Sequence, residues 1–581
     1  MAGRNVIDER VFELHPEYGR VRVTLLMAVL VVAISIGVFA VLPPRRLDLA
    51  PGATPADSPV VAGVFHVHSS RSDGIGTPDE IAAAAARAGL RFVVLTDHGD
   101  GTRQPDPPQY RSSVLCLDAV EISTADGHYI AVGMPQAPYP LAGEGRDVVE
   151  DVRRLGGFGV VAHPDSAKSE LRWRDWSASF DAIEWLNADS EWRDETSGRL
   201  AQALLTYPFR PVETLTSLLD RPATTLERWD ALTQRRPVIG LPGADAHAKV
   251  AWRDDAAAPY RSRVFVPFPR YESSFDSFSL RVELERPFTG DAAADAAMLM
   301  TALRQGRLFT AVDGLATPPY LELVARSGRH SARQGEALEL DGPVVLDIRS
   351  DAPEGSSIVL FRNGRILAKG GARTFRQELP PESTVLRAEV WLSATDDPPL
   401  PWIVSNPIYV SRPPQLPVGR RIAAEERALA ESTAGADWQI EQRPGSSVTL
   451  EKSADRLSLR YSLGREAPAA QFVAVGISAP ALLRQFDRVS FRGVADRPMR
   501  LFVQLRRPAD SEGQRWRRSV YLDREPRDVT TFFDEMTPIG RTTTFRPDLN
   551  TVTDLLFVID TTNNIPGQSG TFAIDALRLG R

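Results

Sequence analysis

Residues 64–98 read VFHVHSSRSDGIGTPDEIAAAAARAGLRFVVLTDH, and the order of patterns within them decides the architecture. An apolar run comes first, carrying His66 and His68 two positions apart and therefore on one face of a strand. A polar loop with Asp73 and Gly74 follows. Thr77-Pro78-Asp79-Glu80 then offers an N-cap threonine, proline at the first helical position and glutamate three residues after the cap. The alanine-rich helix closes at Gly89, and RFVVLTDH reads as a second short strand ending on His98. Strand, helix and strand in this order make a βαβ unit.

The same alternation continues to about residue 250 through YIAVGM, FGVVAH, DAIEWL and PVIGLPGADAH, which predicts an α/β architecture with largely parallel strands. At 581 residues the chain is too long for one core. Beyond about residue 320 the pattern turns all-β. Asn363-Gly364, set between Ile358–Phe361 and Ile366–Leu367, is the preferred pair for a tight hairpin. SRPPQLP and the segment 422–434 read as a linker with a short helix. In the last region Leu457, Leu459, Tyr461 and Leu463 alternate with polar residues as one face of a strand should, and Phe572 and Ile574 repeat the pattern.

Val23 to Leu42 carries no charge and at ~1.5 Å per residue would span about 30 Å, the hydrocarbon thickness of a bilayer. Arg4, Arg10, Arg20 and Arg22 precede it and Arg45 and Arg46 follow, a bias that keeps the N-terminus in the cytoplasm and exports the rest. The expected organisation is a cytoplasmic tail (1–22), a transmembrane helix (23–42), a linker (43–60), an α/β domain (61–320), a β-sandwich (321–412), a second linker (413–436) and a jelly roll (437–581).

Net charge is −7 and no long basic run occurs, which argues against nucleic-acid binding driven by bulk electrostatics. Cys116 is the single cysteine, so thiolate metal sites are absent and a transition metal must use histidine and carboxylate. The residues for that are at hand. His66 and His68, His98, His163, and Asp245 with His247 all end predicted strands, where side chains from distant sequence converge in β/α folds. Asp73, Glu121 and His128 lie in the loops and strand ends between them. Nine ligands without a thiolate suit zinc, manganese or iron.

These residues also carry a resemblance. His66-Val-His68 with Asp73-Gly74, Thr96-Asp97-His98, Glu121-Ile-Ser, Ala162-His163-Pro164 and Asp245-Ala-His247 resemble the successive motifs of the PHP (polymerase and histidinol phosphatase) superfamily. EISTADGHYIAVG (121–133) is similar to its carbaryl-hydrolase-like branch. The resemblance covers about 61–320, including LRQGRLFTAVDG, and implies a distorted seven-stranded (β/α)7 barrel holding two or three divalent metals. It assigns His66, His68, Glu121 and Asp245 to a first metal, Asp73, His98 and His247 to a second, and Glu121, His128 and His163 to a third.

Clustered cations lower the pKa of water and stabilise charge on a substrate oxygen, so no serine or cysteine nucleophile is needed, and no Gly-x-Ser-x-Gly elbow or Walker-type loop occurs. Asp245 is the expected proton shuttle, and Lys249, Lys168 or Arg71 the expected contact for an anionic substrate group. Phosphoester hydrolysis is the activity the superfamily implies, carboxylic ester or carbamate hydrolysis the one the branch implies. A cell-surface carbohydrate-binding protein is the alternative of a different class, with the C-terminal region loosely resembling galactose-binding-like modules and Trp438 and Trp516 as candidate sugar-stacking aromatics.

Overall fold

The computed structural model describes Met27, Gly37, 39–50, 59–254, 262–392, 400–411, 423–429, 433, 435–453, 455–465, 470–507, 513–540 and 542–581, with 251–254, 262–265 and Pro480 as backbone alone. The apolar run expected to span a membrane lies outside these residues apart from Met27, Gly37 and 39–42, as do 1–22 and much of the first linker. Among the described residues no helix is long and apolar enough to cross a membrane.

The opening stretch folds as read. Strand β1 (Val60–Val67) leads to helix α1 (Pro78–Arg87) and strand β2 (Phe92–Leu95). The Thr77 side chain accepts from the Glu80 backbone N–H, and the Glu80 carboxylate accepts from Thr77 N, a reciprocal cap that satisfies two donors the helix itself leaves open. Then come β3 (Val114–Thr124), β4 (Gly127–Val132), α2 (Gly145–Arg154), β5 (Phe158–Val161), β6 (Ala182–Asn187), α3 (Ser197–Thr206) and β7 (Ile239–Gly243). The seven strands lie side by side in chain order. β1/β2, β2/β3, β5/β6 and β6/β7 are parallel. β4 departs from the expected parallel pattern and runs antiparallel to both neighbours, because a two-residue turn joins it to β3 and leaves no room for a crossover helix.

Past β7 the chain turns back onto β1. Ala244 N donates to Phe65 O (2.9 Å), Ala246 N to His66 O (3.3 Å) and His68 N to Ala246 O (3.0 Å), joining the two ends of the seven-strand run. Strand alternation divides the core in two. Phe92 and Val94, with Leu115, Ile130, Phe158 and Leu241, pack into one cluster, which helix Ala292–Arg304 (α4) covers with Leu299 and Leu303. Val93, Leu95, Val161 and Ile183 face the opposite way, against α1 and α2.

The boundary expected near residue 320 does not interrupt the sheet. Leu308–Ala311 pairs with Ile403–Ser405, so the next region's strands extend the same sheet, and a separate four-stranded sheet belongs to this second region. Its hairpin forms at the predicted place, with Asn363 (φ 50°) and Gly364 (φ 76°) in the left-handed conformations that a two-residue turn of this kind requires. Inside the stretch read as a linker with a short helix, Glu426–Ala428 is instead a strand, paired with Arg578–Gly580. The C-terminal region is two six-stranded sheets around one apolar core containing Leu457, Leu459, Tyr461, Phe572 and Ile574. Trp438 and Trp516, expected as sugar-stacking aromatics, are buried in that core, where each indole N–H donates to a backbone carbonyl (Thr433 O, 2.8 Å; Thr544 O, 2.9 Å).

Candidate metal centre

At the end of β1 the ladder to β2 shifts register between Val64 and Val67, and His66 takes a left-handed backbone (φ 65°). His66 and His68 still converge, with Nε2 atoms 3.1 Å apart, but through this bulge rather than the regular pleat. His163 (φ 28°) and Asp245 (φ 45°) share the strained region. Such conformations cost about 1–3 kcal/mol each and persist where surrounding contacts over-determine them. All three aim side chains at one point.

The loop after β1 is tied down by Asp97, whose carboxylate accepts from Ser69 N (2.8 Å), Ser69 Oγ (2.6 Å) and Ser72 Oγ (2.7 Å). Gly74 completes the turn where a Cβ would stand 2.1 Å from His68 O. Asp73 is thereby delivered to His247 (Oδ2–Nε2 3.0 Å) and His68 (Oδ1–Nδ1 3.3 Å), with His98 Nε2 at 3.9 Å. A bridge between His98 and Glu121 sets those two side by side, and His128, opposite Ser123 on the β3–β4 hairpin, reaches back to Glu121 Oε1 (2.8 Å). His163 Nε2 meets the same oxygen at 2.8 Å.

Four atoms form the heart of the cluster: His66 Nε2, His68 Nε2, Glu121 Oε2 and Asp245 Oδ1. The five separations His66–His68, His66–Glu121, His66–Asp245, His68–Glu121 and His68–Asp245 are 3.1, 3.3, 3.2, 3.2 and 3.2 Å. Ligands held tetrahedrally ~2.0 Å from a zinc-like ion stand about 3.3 Å apart, so these atoms are spaced as a coordination shell. Two further sets, His68/Asp73/His98/His247 and His98/Glu121/His128, also gather their donor atoms closely enough for an ion, and His163 joins His66 and Asp245 in another.

Hydrogen bonding within the cluster fits a cation. Glu121 Oε2 is buried without a hydrogen-bond partner among the described residues, although imidazole nitrogens of His66, His68 and His98 lie 3.2–3.3 Å away. The imidazoles are oriented from outside. His66 Nδ1 lies 2.6 Å from Glu184 Oε1, His247 Nδ1 2.8 Å from Asp245 O and His163 Nδ1 3.2 Å from Leu171 O. Protonated Nδ1 atoms donating outward leave Nε2 lone pairs facing inward, the arrangement metal-ligating histidines adopt.

Electrostatics express the same tension. Burial opposes the charged forms of Glu121 and Asp245, yet the surrounding imidazoles hold both carboxyls well below the usual range. Burial would lower His68, but hydrogen bonds to Asp245 and Glu121 outweigh it and push it up to about 10. His98, for which burial dominates, is pushed down to about 4. Without a cation, protons must balance the carboxylates.

All nine expected ligands meet here. Of the expected anion contacts, Lys249 lines a cavity together with Asp245 and His247. Arg71 lines a smaller one with His98, but its guanidinium is engaged by Asp106 and by Asp118 (3.3 Å). Lys168 is exposed and lines neither cavity. Sequence reasoning missed two positioning residues. Glu184, besides holding His66, accepts from His163 N (2.7 Å) and Asn187 Nδ2 (2.8 Å). Room for it is made by Gly243, where a Cβ would fall 2.1 Å from Glu184 Oε1. Its signal was a charged residue within the apolar run Ala-Ile-Glu-Trp-Leu. The Tyr271 hydroxyl donates to His68 O (2.8 Å), and nothing in its local sequence marks it.

No family profile matches the chain and no curated relative does. Among solved structures it is similar to a two-domain protein from Bacteroides vulgatus described as containing a predicted PHP-like metal-dependent phosphoesterase, at 13% identity over 62% of this chain and 99% of that one, with a TM-score of 0.29. It is also similar to the family 11 carbohydrate-binding module from Clostridium thermocellum, solved with a β-1,3-1,4-mixed-linked tetrasaccharide, at 14% identity over 26% of this chain and 94% of the module, with a TM-score of 0.22. Likenesses at these TM-scores carry no argument about activity. The donor set and its spacing carry it.

Proposed function

We propose that this chain is a metal-dependent hydrolase of a phosphoester, with two or three divalent ions (zinc, manganese or iron) held at the end of a distorted (β/α)7 barrel formed by β1–β7. The observation that carries the reading is the set of 3.1–3.3 Å separations among His66, His68, Glu121 and Asp245, where imidazole nitrogens and carboxylate oxygens converge on one point. Those four would hold the first ion, Asp73, His98 and His247 the second, and Glu121, His128 and His163 the third.

When bound, such ions supply a water of lowered pKa and stabilise negative charge on the substrate oxygen. The chain's own groups do the rest. Glu184, Leu171 O and Asp245 O fix the imidazole orientations. Asp245, kept ionised, offers a carboxylate oxygen as proton acceptor from the attacking water. Lys249 supplies a cation at the adjoining cavity and would orient an anionic substrate group. A panel of aryl phosphate, phosphodiester and aryl carboxylic ester substrates, assayed with manganese or zinc and again after chelation, tests the reading. Metal-dependent turnover of the phosphoesters supports it, and turnover of the carboxylic ester alone transfers the site to ester or carbamate chemistry.

We also propose that 23–42 anchors the chain in a membrane with residues beyond 45 exported. Its support is the uncharged run and the arginine bias. Release of the full chain from membranes by alkaline carbonate would remove it.

A further inference from the structure

Beside the metal cluster, and sharing Asp245 and His247 with it, lies a cavity of about 400 Å³. Lys249 also lines it, and Asp189, Ser274 and Ser277 are the other charged or hydroxyl-bearing residues of its wall. The remainder of the wall is apolar, built mainly by Leu200, Leu204, Leu215, Leu218 and Phe268. A site meant only for a small, hydrated phosphoester has no use for such a wall, since apolar surface gains free energy only by covering apolar surface.

The cavity runs to the protein surface along α3. Leu204 lines the cavity and is 62% exposed; Leu205 and Phe209 beside it are 47% and 61% exposed. An apolar patch of this kind, continuous with a cavity, marks a place where something apolar binds. Helix α3 and the residues after it also meet the end of the N-terminal apolar run. Gln202 Nε2 on α3 donates to Val41 O (2.9 Å), the Arg210 guanidinium donates to Pro43 O, and Phe39 and Val41 are exposed here. Gln202 and Leu204, two residues apart, stand on different faces of α3, so the cavity and this segment meet the same helix from different sides.

We propose that the substrate is an amphiphile: an anionic phosphoester head at the metal cluster and Lys249, and a hydrophobic chain in the cavity leaving past Leu204. This rests on the hydrolase reading for what happens to the head and on the geometry of the cavity for where the chain lies.

The test is binding rather than turnover, so that the two ideas fail separately. Full-length, manganese-loaded protein in phosphatidylcholine nanodiscs is titrated with methylphosphonate and octylphosphonate, with empty nanodiscs as the blank. Burying several methylenes predicts that the octyl compound binds at least about 30-fold tighter. That ratio falls at least fivefold in Leu204→Glu, a surface change that the fold tolerates, and is kept in Ile366→Glu, an exposed apolar position on the distant hairpin. Equal affinities for the two phosphonates, or an octyl preference untouched by Leu204→Glu, overturn the proposal. An octyl preference that Leu204→Glu removes, together with no metal-dependent turnover in the substrate panel, would instead discard the hydrolase and leave the amphiphile site standing.

Discussion

Two of the buried carboxylate clusters among the described residues are settled in opposite ways. Where the C-terminal region meets α2, the fully buried Arg500 donates to Asp151 (2.9 and 2.7 Å) and to Asp147 O (2.8 Å), while Arg517 holds Glu144 (2.7 Å) and Arg518 holds Glu150 (2.8 Å). Positive charge is built into the chain there, and the result is a clamp between strand Met499–Arg506 and a helix of the metal-bearing region. At the strand ends Glu121, Asp73 and Asp245 are gathered just as tightly, but by imidazoles whose nitrogens face them as potential ligands. Arginines supply the first cluster's cations from within the chain; the imidazoles of the second present nitrogens that could hold a cation from outside.

That contrast can be broken from either side. The largest effect belongs to the histidine cluster: exhaustive chelation is expected to lower hydrolysis at least ~10³-fold, the equivalent of several kcal/mol of charge stabilisation, with activity restored by manganese or zinc. Arg500→Leu removes one of the two arginines that pair with the buried Asp151, Arg154 being the other, and is expected to cost about 1–3 kcal/mol of stability in denaturant unfolding, while metal content per folded molecule stays unchanged. Loss of bound metal in that variant would show that the two clusters are not independent. Glu184→Gln keeps the shape but weakens the acceptor behind His66, and a 10–100-fold loss of metal affinity by titration is expected.

A pH series sharpens the same point. With its pKa pushed up to about 10 in the metal-free cluster, His68 carries a proton at pH 7 that a metal must displace. Affinity should therefore rise by about tenfold per pH unit for this proton between pH 7 and 9, with calorimetry in buffers of different ionisation enthalpy reporting its release. The stability that the protonated imidazole lends the metal-free fold is fully present below its unfolded pKa of about 6.5 and is lost as pH rises through about 10. Metal-loaded protein should not follow that decline. Thr77→Ala has the smallest expected effect, about 1 kcal/mol from the lost cap with metal affinity unaltered.

How far the primary structure spoke for itself varies with the range of the interaction. The Thr77–Glu80 cap, the Asn363-Gly364 turn and the Leu457–Leu463 alternation are local, their causes lying within a few residues, and each formed where its pattern stood. Glu184 and Gly243 carried only a faint mark because they sit on neighbouring strands, β6 and β7, that are far apart in sequence. Trp438 and Trp516 show the converse case: aromatic side chains announce themselves in a sequence as candidates for either stacking or core, and whether a ring faces solvent or core is set by what the opposite sheet presents.

The sequence by itself determined which ligand types are available, that thiolates are excluded, and that the donors fall at strand ends, because these follow from residue identity and from periodicities of 2 and 3.6. Tertiary structure alone decided that the sheet continues past residue 320 into the next region, and that His66, His163 and Asp245 accept strained backbones to meet. The physical reason is that these positions are fixed by contacts between residues far apart in the chain, such as Ala244 N with Phe65 O. A local pattern carries no information about that distance.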